Sequence, residues 1–114
     1  MTLDSFKESD LISQWWCINP RLQEMLIILD NYVIGRYKKP LLITSLIRKD
    51  DEHSPHYWGH AADLRIWAFT SDERDEILSY TNQRWVYPKK QYQTLEIHEN
   101  KDKTGVHWHL QIAP

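Results

Sequence analysis

The segment at 106–112 reads VHWHLQI and alternates apolar and polar side chains at every position. Because successive side chains of a β-strand point to opposite faces, this alternation predicts a strand with one buried face and one polar face. The polar face would carry His107, His109 and Gln111, with the two imidazoles roughly 7 Å apart along the strand. Such a pair can bind a metal or supply a ligand and a base, although the same pattern also fits a solvated face.

The remaining periodicities predict a small α+β domain. Apolar side chains spaced three to four residues apart follow the Asn19-Pro20 helix start, and Gly35 would end that helix. Apolar or alternating runs predict strands, and the polar stretch at 99–105 would join the last two strands as a turn. This order of elements is typical of a mostly antiparallel sheet covered by helices. The predicted helices cover 9–16, 20–35 and 70–85, and the predicted strands cover 41–47, 61–69, 91–98 and 106–112.

A chain of 114 residues, with 41% hydrophobic and 26% charged side chains, is typical of one globular domain spanning 1–114. The formal charge of −2 without a basic run gives no indication of nucleic acid as a partner. The N-terminal stretch lacks a basic start followed by an apolar run, so we expect no signal peptide, cytoplasmic synthesis and no membrane partner. We also expect a monomer, in which the single cysteine, Cys17, is a small buried side chain.

A second group of metal-type side chains lies in the segment at 54–65, which reads SPHYWGHAADLR. Pro55 and Gly59 disfavour a helix, so His56 is predicted on a loop that turns at Gly59 and enters a strand near Asp63. A carboxylate on that strand needs a cation, hydrogen bonds or a metal as its partner. His56, Asp63 and one C-terminal histidine would supply two nitrogens and one oxygen, which suit Zn²⁺. Three protein ligands plus water is the pattern of catalytic zinc.

The same segment resembles the first zinc signature of the family of D-alanyl-D-alanine carboxypeptidases and L-alanyl-D-glutamate endopeptidases. These are small zinc peptidases of bacterial cell walls, and many are phage endolysins. His107 and His109 are similar to a late His-x-His of one branch, and Ser45-x-x-Arg48 is similar to a third family motif. The motifs occur in the family's order, and the resemblance covers about 20–112. The matching positions of the first signature are Ser54, His56, Gly59, Ala61, Asp63 and Leu64.

The resemblance implies a fold like that of the hedgehog signalling domain, with helices on one face of the sheet and a zinc site on the other. It implies that His56, Asp63 and His109 bind Zn²⁺, with water in the fourth position. Arg48 would stabilise the oxyanion or hold a substrate carboxylate, and Ser45 would lie in the same substrate site. The implied reaction is hydrolysis of an amide bond in peptidoglycan stem peptides, at the cell wall after release or in the virion.

One position departs from the family pattern. Carboxypeptidase-type members place Glu or Asp three residues before the zinc histidine, where this chain has Val106. The preferred general base is then His107, and Glu96 on the preceding strand is the other candidate. Tyr57 and Trp58 would form a substrate wall or a hydrophobic lid over the core. The alternatives are a non-catalytic zinc-binding member of the fold, such as a phage structural or binding module, and a zinc hydrolase of another amide or ester.

Overall fold

The computed structural model describes residues 1–99 and 105–114, and these form the expected α+β fold. The turn predicted at 99–105 falls largely outside the described residues. Within the described part of the chain, no helix is both long and apolar enough to cross a bilayer. The helices are α1 (Asp10–Trp15), α2 (Pro20–Tyr37) and α3 (Ser71–Arg84), the strands are β1 (Ile43–Ser45), β2 (Ala61–Arg65), β3 (Leu95–Glu99) and β4 (Val106–Gln111), and the 3-10 turns are Leu3–Ser5 and Pro55–Trp58.

The four strands form one sheet in the order β1-β2-β4-β3, and every neighbouring pair is antiparallel. The last strand of the chain therefore lies inside the sheet, between β2 and β3. Leu64 on β2 lies opposite Trp108 on β4, and the next pair along is Asp63 opposite His109. The predicted alternation is confirmed, because one face of β4 enters the core while the other carries the histidines.

The hydrophobic core lies between the helices and the apolar face of the sheet. The apolar residues of α2 that the spacing predicted are fully or almost fully buried, except Tyr32, which is partly buried and packs against the core. Complete burial of one such side chain contributes about 1.5–3 kcal/mol, so this single helix face supplies much of the stability of the domain. The core residues from α2 and the sheet are Leu22, Met25, Leu26, Leu29, Val33, Ile43, Ala62, Leu64, Leu95, Trp108 and Leu110.

Both long helices begin where their capping residues predict. The Asn19 side chain accepts a hydrogen bond from the Arg21 backbone N–H at 2.9 Å, and Pro20 takes the first helical position. Thr70 and Glu73 form a reciprocal capping box, in which each side chain accepts a hydrogen bond from the other residue's backbone N–H. Each cap satisfies backbone donors that the first turn of a helix otherwise leaves unpaired.

The end of α2 differs from the prediction that Gly35 terminates the helix. The helix continues through Gly35 to Tyr37, and Lys38 adopts the left-handed conformation with φ +60°. The Lys38 backbone N–H donates to the Ile34 carbonyl at 3.0 Å, which closes the last turn. The extra turn brings the ring of Tyr37 to 6.3 Å from that of Phe69 in an edge-on contact. Tertiary packing at the end of α2 therefore outweighs the local preference of glycine for a helix end.

Three strands are shorter than predicted. The run predicted at 91–98 enters the sheet only at Leu95 and continues to Glu99. The run at 41–47 contributes only three residues to β1, because the pairing register with β2 shifts within them. The run predicted at 61–69 leaves the sheet after Arg65. There the Phe69 backbone N–H donates to the Ile66 carbonyl at 3.1 Å, and this turn leads into α3.

Gly59 fixes the 3-10 turn Pro55–Trp58 against the connection between α1 and α2. It has φ +73°, and its carbonyl accepts a hydrogen bond from the Asn19 N–H at 3.0 Å. A Cβ atom at Gly59 would lie 3.1 Å from Ile18 Cα and 3.3 Å from the Cys17 carbonyl oxygen. Backbone atoms of the connection between α1 and α2 therefore contact Gly59. The Cys17 side chain is exposed, so the prediction that it is buried was wrong.

Two glycine substitutions should have opposite effects on stability. Gly59→Ala should destabilise by roughly 1–2 kcal/mol or more, because alanine disfavours the left-handed conformation and its methyl group meets backbone atoms. Gly35→Ala, in a helical position with open space around it, should stabilise by about 0.5–1 kcal/mol. Thermal melts of both variants and the wild type give the comparison. A Gly35→Ala protein less stable than the wild type would contradict the helical assignment of Gly35.

Candidate metal centre

Three separate elements bring His56, Asp63 and His109 together. His56 lies in the 3-10 turn, where the Ser54 hydroxyl accepts a hydrogen bond from the His56 backbone N–H at 3.3 Å. Asp63 on β2 lies directly opposite His109 on β4. One candidate ligand atom from each side chain lies within 4.8 Å of the other two, and all three residues are buried. We call these three residues the triad.

The triad converges on one carboxylate oxygen. Asp63 Oδ1 lies 3.1 Å from His56 Nε2 and 3.2 Å from His109 Nδ1. The two imidazole rings lie 5.2 Å apart between centroids and are inclined at 65°, so their facing nitrogens approach the oxygen from different directions. Two imidazole nitrogens and one carboxylate oxygen are a donor set that zinc accepts readily in proteins.

The proton on His56 is fixed by a backbone carbonyl. His56 Nδ1 lies 2.6 Å from the Leu46 carbonyl oxygen, and the ring is buried. A carbonyl oxygen can only accept a hydrogen bond, so Nδ1 carries the proton and donates it. In the neutral imidazole, Nε2 is then the unprotonated nitrogen, and Nε2 is the atom that faces Asp63.

The proton on His109 is fixed by a glutamine. The Gln111 Nε2 amide donates to the Gln93 carbonyl at 2.8 Å, which turns Gln111 Oε1 toward His109 Nε2 at 3.1 Å. Because Oε1 can only accept, His109 Nε2 carries the proton. His109 Nδ1 is then the unprotonated nitrogen of the neutral ring, and it also faces Asp63.

With these protons assigned, three lone pairs face one another inside the triad. His56 Nε2, His109 Nδ1 and Asp63 Oδ1 are all acceptors, and acceptors this close repel each other unless a proton or a cation lies between them. Protonation would have to add a charge to one or both rings, whereas one divalent cation satisfies all three atoms. The geometry and the fixed tautomers of the triad therefore fit a metal ion.

Asp63 is ionised despite its burial. Burial alone would raise the pKa of Asp63, but its contacts with the rings of His109 and His56 outweigh that effect, because a proton or a cation shared between these atoms favours the ionised carboxylate. They hold the pKa of Asp63 below the usual range of a carboxyl group. The triad thus presents a buried anionic oxygen, which is the form of a carboxylate that binds a cation.

His107 lies beside the triad on β4. Its Nε2 atom is 3.5 Å from Asp63 Oδ1, and its Nδ1 atom is buried without a hydrogen-bond partner among the described residues. Burial lowers the pKa of His107 below the ordinary histidine value, although the nearby charge of Asp63 acts in the opposite direction. Nε2 is the His107 atom nearest the triad, and a neutral imidazole at this position is a candidate general base.

Glu96, the other candidate base, is engaged with its own strand. Its Oε1 atom lies 2.9 Å from His98 Nε2, and its Oε2 atom accepts a hydrogen bond from the Gln93 backbone N–H at 3.0 Å. The ring of His98 stacks on that of His109, with centroids 4.6 Å apart and planes inclined at 11°. Glu96 therefore orients His98 against a triad histidine, whereas His107 faces Asp63 directly.

Arg48 and Ser45 also reach the site. Arg48 Nη2 lies 3.7 Å from Asp63 Oδ2, and Ser45 pairs with Asp63 across the β1–β2 ladder. Both residues line a cleft of about 320 Å³ that Asp63 and His107 also line. We call this cleft the β1-side cleft. A substrate group lying in it would contact Arg48 and Ser45 beside the triad.

Tyr57 and Trp58, the predicted substrate wall, do not line the clefts in which the triad side chains lie. The cleft that His56 and His109 line is also lined by Tyr92, among other residues. Trp58 is 61% exposed and lines a neighbouring cleft together with Tyr92. The short turn that buries the His56 ring points the next two aromatic side chains away from it.

Gln111 is the residue of the site whose role the sequence did not reveal. Alternation places it correctly on the polar face of β4, but its contact with His109 depends on the Gln93 carbonyl, which the sequence pattern does not locate. Tyr92 was missed for a similar reason, because it precedes β3 and no periodicity includes it.

The comparisons with known proteins gave no match to any family model, any curated protein or any solved structure.

Gln111→Ala should weaken metal binding without unfolding the protein. Loss of the Oε1 acceptor frees the His109 ring to change its tautomer and orientation, and such outer contacts typically contribute 10- to 100-fold in metal affinity. Competition titrations with a chromophoric chelator measure the zinc affinity, and Gln83→Ala on the exposed face of α3 serves as the control. Equal affinities for both variants would contradict the role of Gln111.

Proposed function

We propose that this protein is a zinc-dependent peptidase that hydrolyses an amide bond in peptidoglycan stem peptides. The observation that carries the proposal is the triad, in which two fixed imidazole lone pairs and a buried carboxylate face a common point. Bound there, Zn²⁺ would lower the pKa of water to about 7 and polarise the substrate carbonyl. The three protein ligands leave a fourth position for solvent, as in catalytic zinc sites.

The residues beside the triad supply the proton transfer that amide hydrolysis requires. His107 would accept the proton that the attacking water loses and deliver it to the leaving amine nitrogen. Its position 3.5 Å from Asp63 Oδ1, with a lowered pKa due mainly to burial, supports this role over Glu96. Arg48, with Ser45 next to it in the β1-side cleft, would donate hydrogen bonds to the carbonyl oxygen as it gains negative charge.

The choice of substrate follows from the signature resemblance, since the geometry of the triad alone is compatible with hydrolysis of many amides. The resemblance favours either a D-Ala-D-Ala carboxypeptidase or an L-Ala-D-Glu endopeptidase that acts on wall peptides, and we expect the protein to act as a monomer. We propose neither a nucleic acid nor a membrane as a partner. The site of action would be the cell wall after release, or the virion.

A second candidate function is a non-catalytic zinc-binding module, such as a phage structural or binding domain. Two observations favour it. Val106 occupies the position where carboxypeptidase-type relatives of the resembled family carry an acidic base, and Glu96 is engaged with His98 and the Gln93 backbone. In such a module the metal would hold the 3-10 turn to β2 and β4.

Substitution of the triad should remove one zinc ion per chain. His56→Ala and His109→Ala should each lose metal on elemental analysis after dialysis, whereas His53→Ala, an exposed loop histidine, should retain it. Zinc at 100 times its Kd should stabilise the wild type by ~2.7 kcal/mol, which corresponds to a rise of about 10 °C in the melting temperature. Zinc that stays bound to both triad variants would refute the site.

A digest of purified muropeptides, followed by mass spectrometry, tests the chemistry. The wild type should release a defined stem-peptide product, and His107→Ala should lower the rate by about 10²- to 10⁴-fold while keeping its zinc. Glu96→Gln should retain most of the activity, because Glu96 does not face Asp63. A zinc-loaded wild type that leaves every muropeptide intact would favour the non-catalytic module, and a larger loss in Glu96→Gln than in His107→Ala would reverse the assignment of the base.

A further inference from the structure

The β1-side cleft carries an excess of positive charge next to the triad. Three basic side chains line it, Lys7, Arg48 and Arg65, together with the aromatic ring of Trp67. Arg48 belongs to the Ser-x-x-Arg motif, but neither the resemblance nor the sequence pattern assigned a role to Lys7 or Arg65. The two residues come from different parts of the chain, so their meeting at one cleft is a property of the fold.

The sheet and the N-terminal segment place these two cations. The Lys7 backbone N–H donates to the Ile43 carbonyl at 2.9 Å, and Phe6 bridges to Ile43 in parallel orientation, so this segment runs along the free edge of β1. Arg65 is the last residue of β2 and pairs with His107 across the β2–β4 ladder. One cation therefore lies at the rim beside β1, and the other lies next to the proposed base.

The Trp67 ring orients the Arg65 guanidinium in a way that leaves it able to bind an anion. Its central carbon lies 4.4 Å from the Trp67 ring centroid, a cation–π contact that orients the guanidinium plane and leaves its N–H edge available. Among the described residues, neither Lys7 nor Arg65 forms an ion pair.

Asp63 does not neutralise this cleft. It is the one acidic side chain among the described lining residues, and its oxygens already face His56, His109 and Arg48. A concave surface with uncompensated positive charge concentrates the field and attracts anions.

We propose that Lys7 and Arg65 form, beside Arg48, a subsite for a carboxylate of the substrate. This inference rests on the proposed function and specifies one charged group of the substrate. The peptide would carry a free carboxylate on the β1 side of the bond that is cut. A guanidinium fork matches a carboxylate in a paired hydrogen-bond geometry, and the ammonium of Lys7 adds charge at the rim. Stem peptides offer two such groups, the C-terminal carboxylate and the free carboxylate of D-glutamate.

The test compares peptides that differ only in charge. Isothermal titration calorimetry measures binding of L-Ala-γ-D-Glu-L-Lys-D-Ala with both carboxylates free, with only the C-terminus amidated, and with only the D-glutamate carboxyl amidated. The measurements use the zinc-loaded protein and are repeated after chelation of zinc, so that binding is also read without turnover. The variants are Lys7→Ala, Arg65→Ala, Arg65→Lys and, as a control on an exposed turn, Lys90→Ala.

We expect amidation of one carboxyl group to weaken binding to the wild type about 5- to 10-fold, and the peptide affected identifies the source of the carboxylate. Lys7→Ala and Arg65→Ala should each remove most of that preference, Arg65→Lys should keep part of it, and Lys90→Ala should keep all of it. Equal binding of the free and amidated peptides, no binding of any peptide, or a preference that survives both alanine variants would overturn the subsite.

The two proposals fail in different ways. A carboxylate preference in a protein that cleaves no muropeptide would refute the peptidase and leave the subsite intact. Cleavage without any carboxylate preference would refute the subsite and leave the peptidase intact.

Discussion

The Asp63 carboxylate, buried between two imidazoles whose protons are held elsewhere, is the interaction on which the rest of the site depends. A buried charge without compensation costs several kcal/mol, so the fold tolerates Asp63 only with partners that can share a proton or a cation with it. The partners are arranged by contacts outside the triad, since the Leu46 carbonyl fixes one ring and Gln111 fixes the other. The chain thus specifies the positions of the protons as well as those of the three facing atoms, and this arrangement suits a cation better than a simple hydrogen-bonded cluster.

One strand links this chemistry to the stability of the fold. On β4, the side chains of Trp108 and Leu110 enter the core, and the alternate side chains of His107, His109 and Gln111 form the site. Any slip in the pairing of β4 would exchange these two faces, so the register that buries the indole is the same register that completes the triad. The position inside the sheet, with a partner strand on each side, makes such a slip costly.

The parts of the fold that were predictable from sequence are those that local patterns determine. Alternation gave the two faces of β4, and capping residues gave the starts of α2 and α3. The helix end at Lys38 was missed because packing of the last turn outweighed the preference of Gly35. The roles of Gln111 and Gln93 were missed because they depend on an amide orientation fixed from another part of the chain. The substrate wall was predicted at Trp58 because this residue lies close to His56 in the chain, but its side chain faces a different cleft.

The distribution of charge around the triad favours one orientation of a peptide bound to the proposed peptidase. Lys7 and Arg65 lie on the β1 side, whereas the carboxylates of Glu96 and Glu99 lie on the β3 side. An extended peptide crossing the sheet would then bind with its anionic part toward β1, because the opposite orientation brings that part against two carboxylates. Hydrolysis creates a new carboxylate and a new amine, and each is stabilised or repelled according to the side on which it forms. In the proposed peptidase, the asymmetry that would select the substrate would therefore also affect the release of its products.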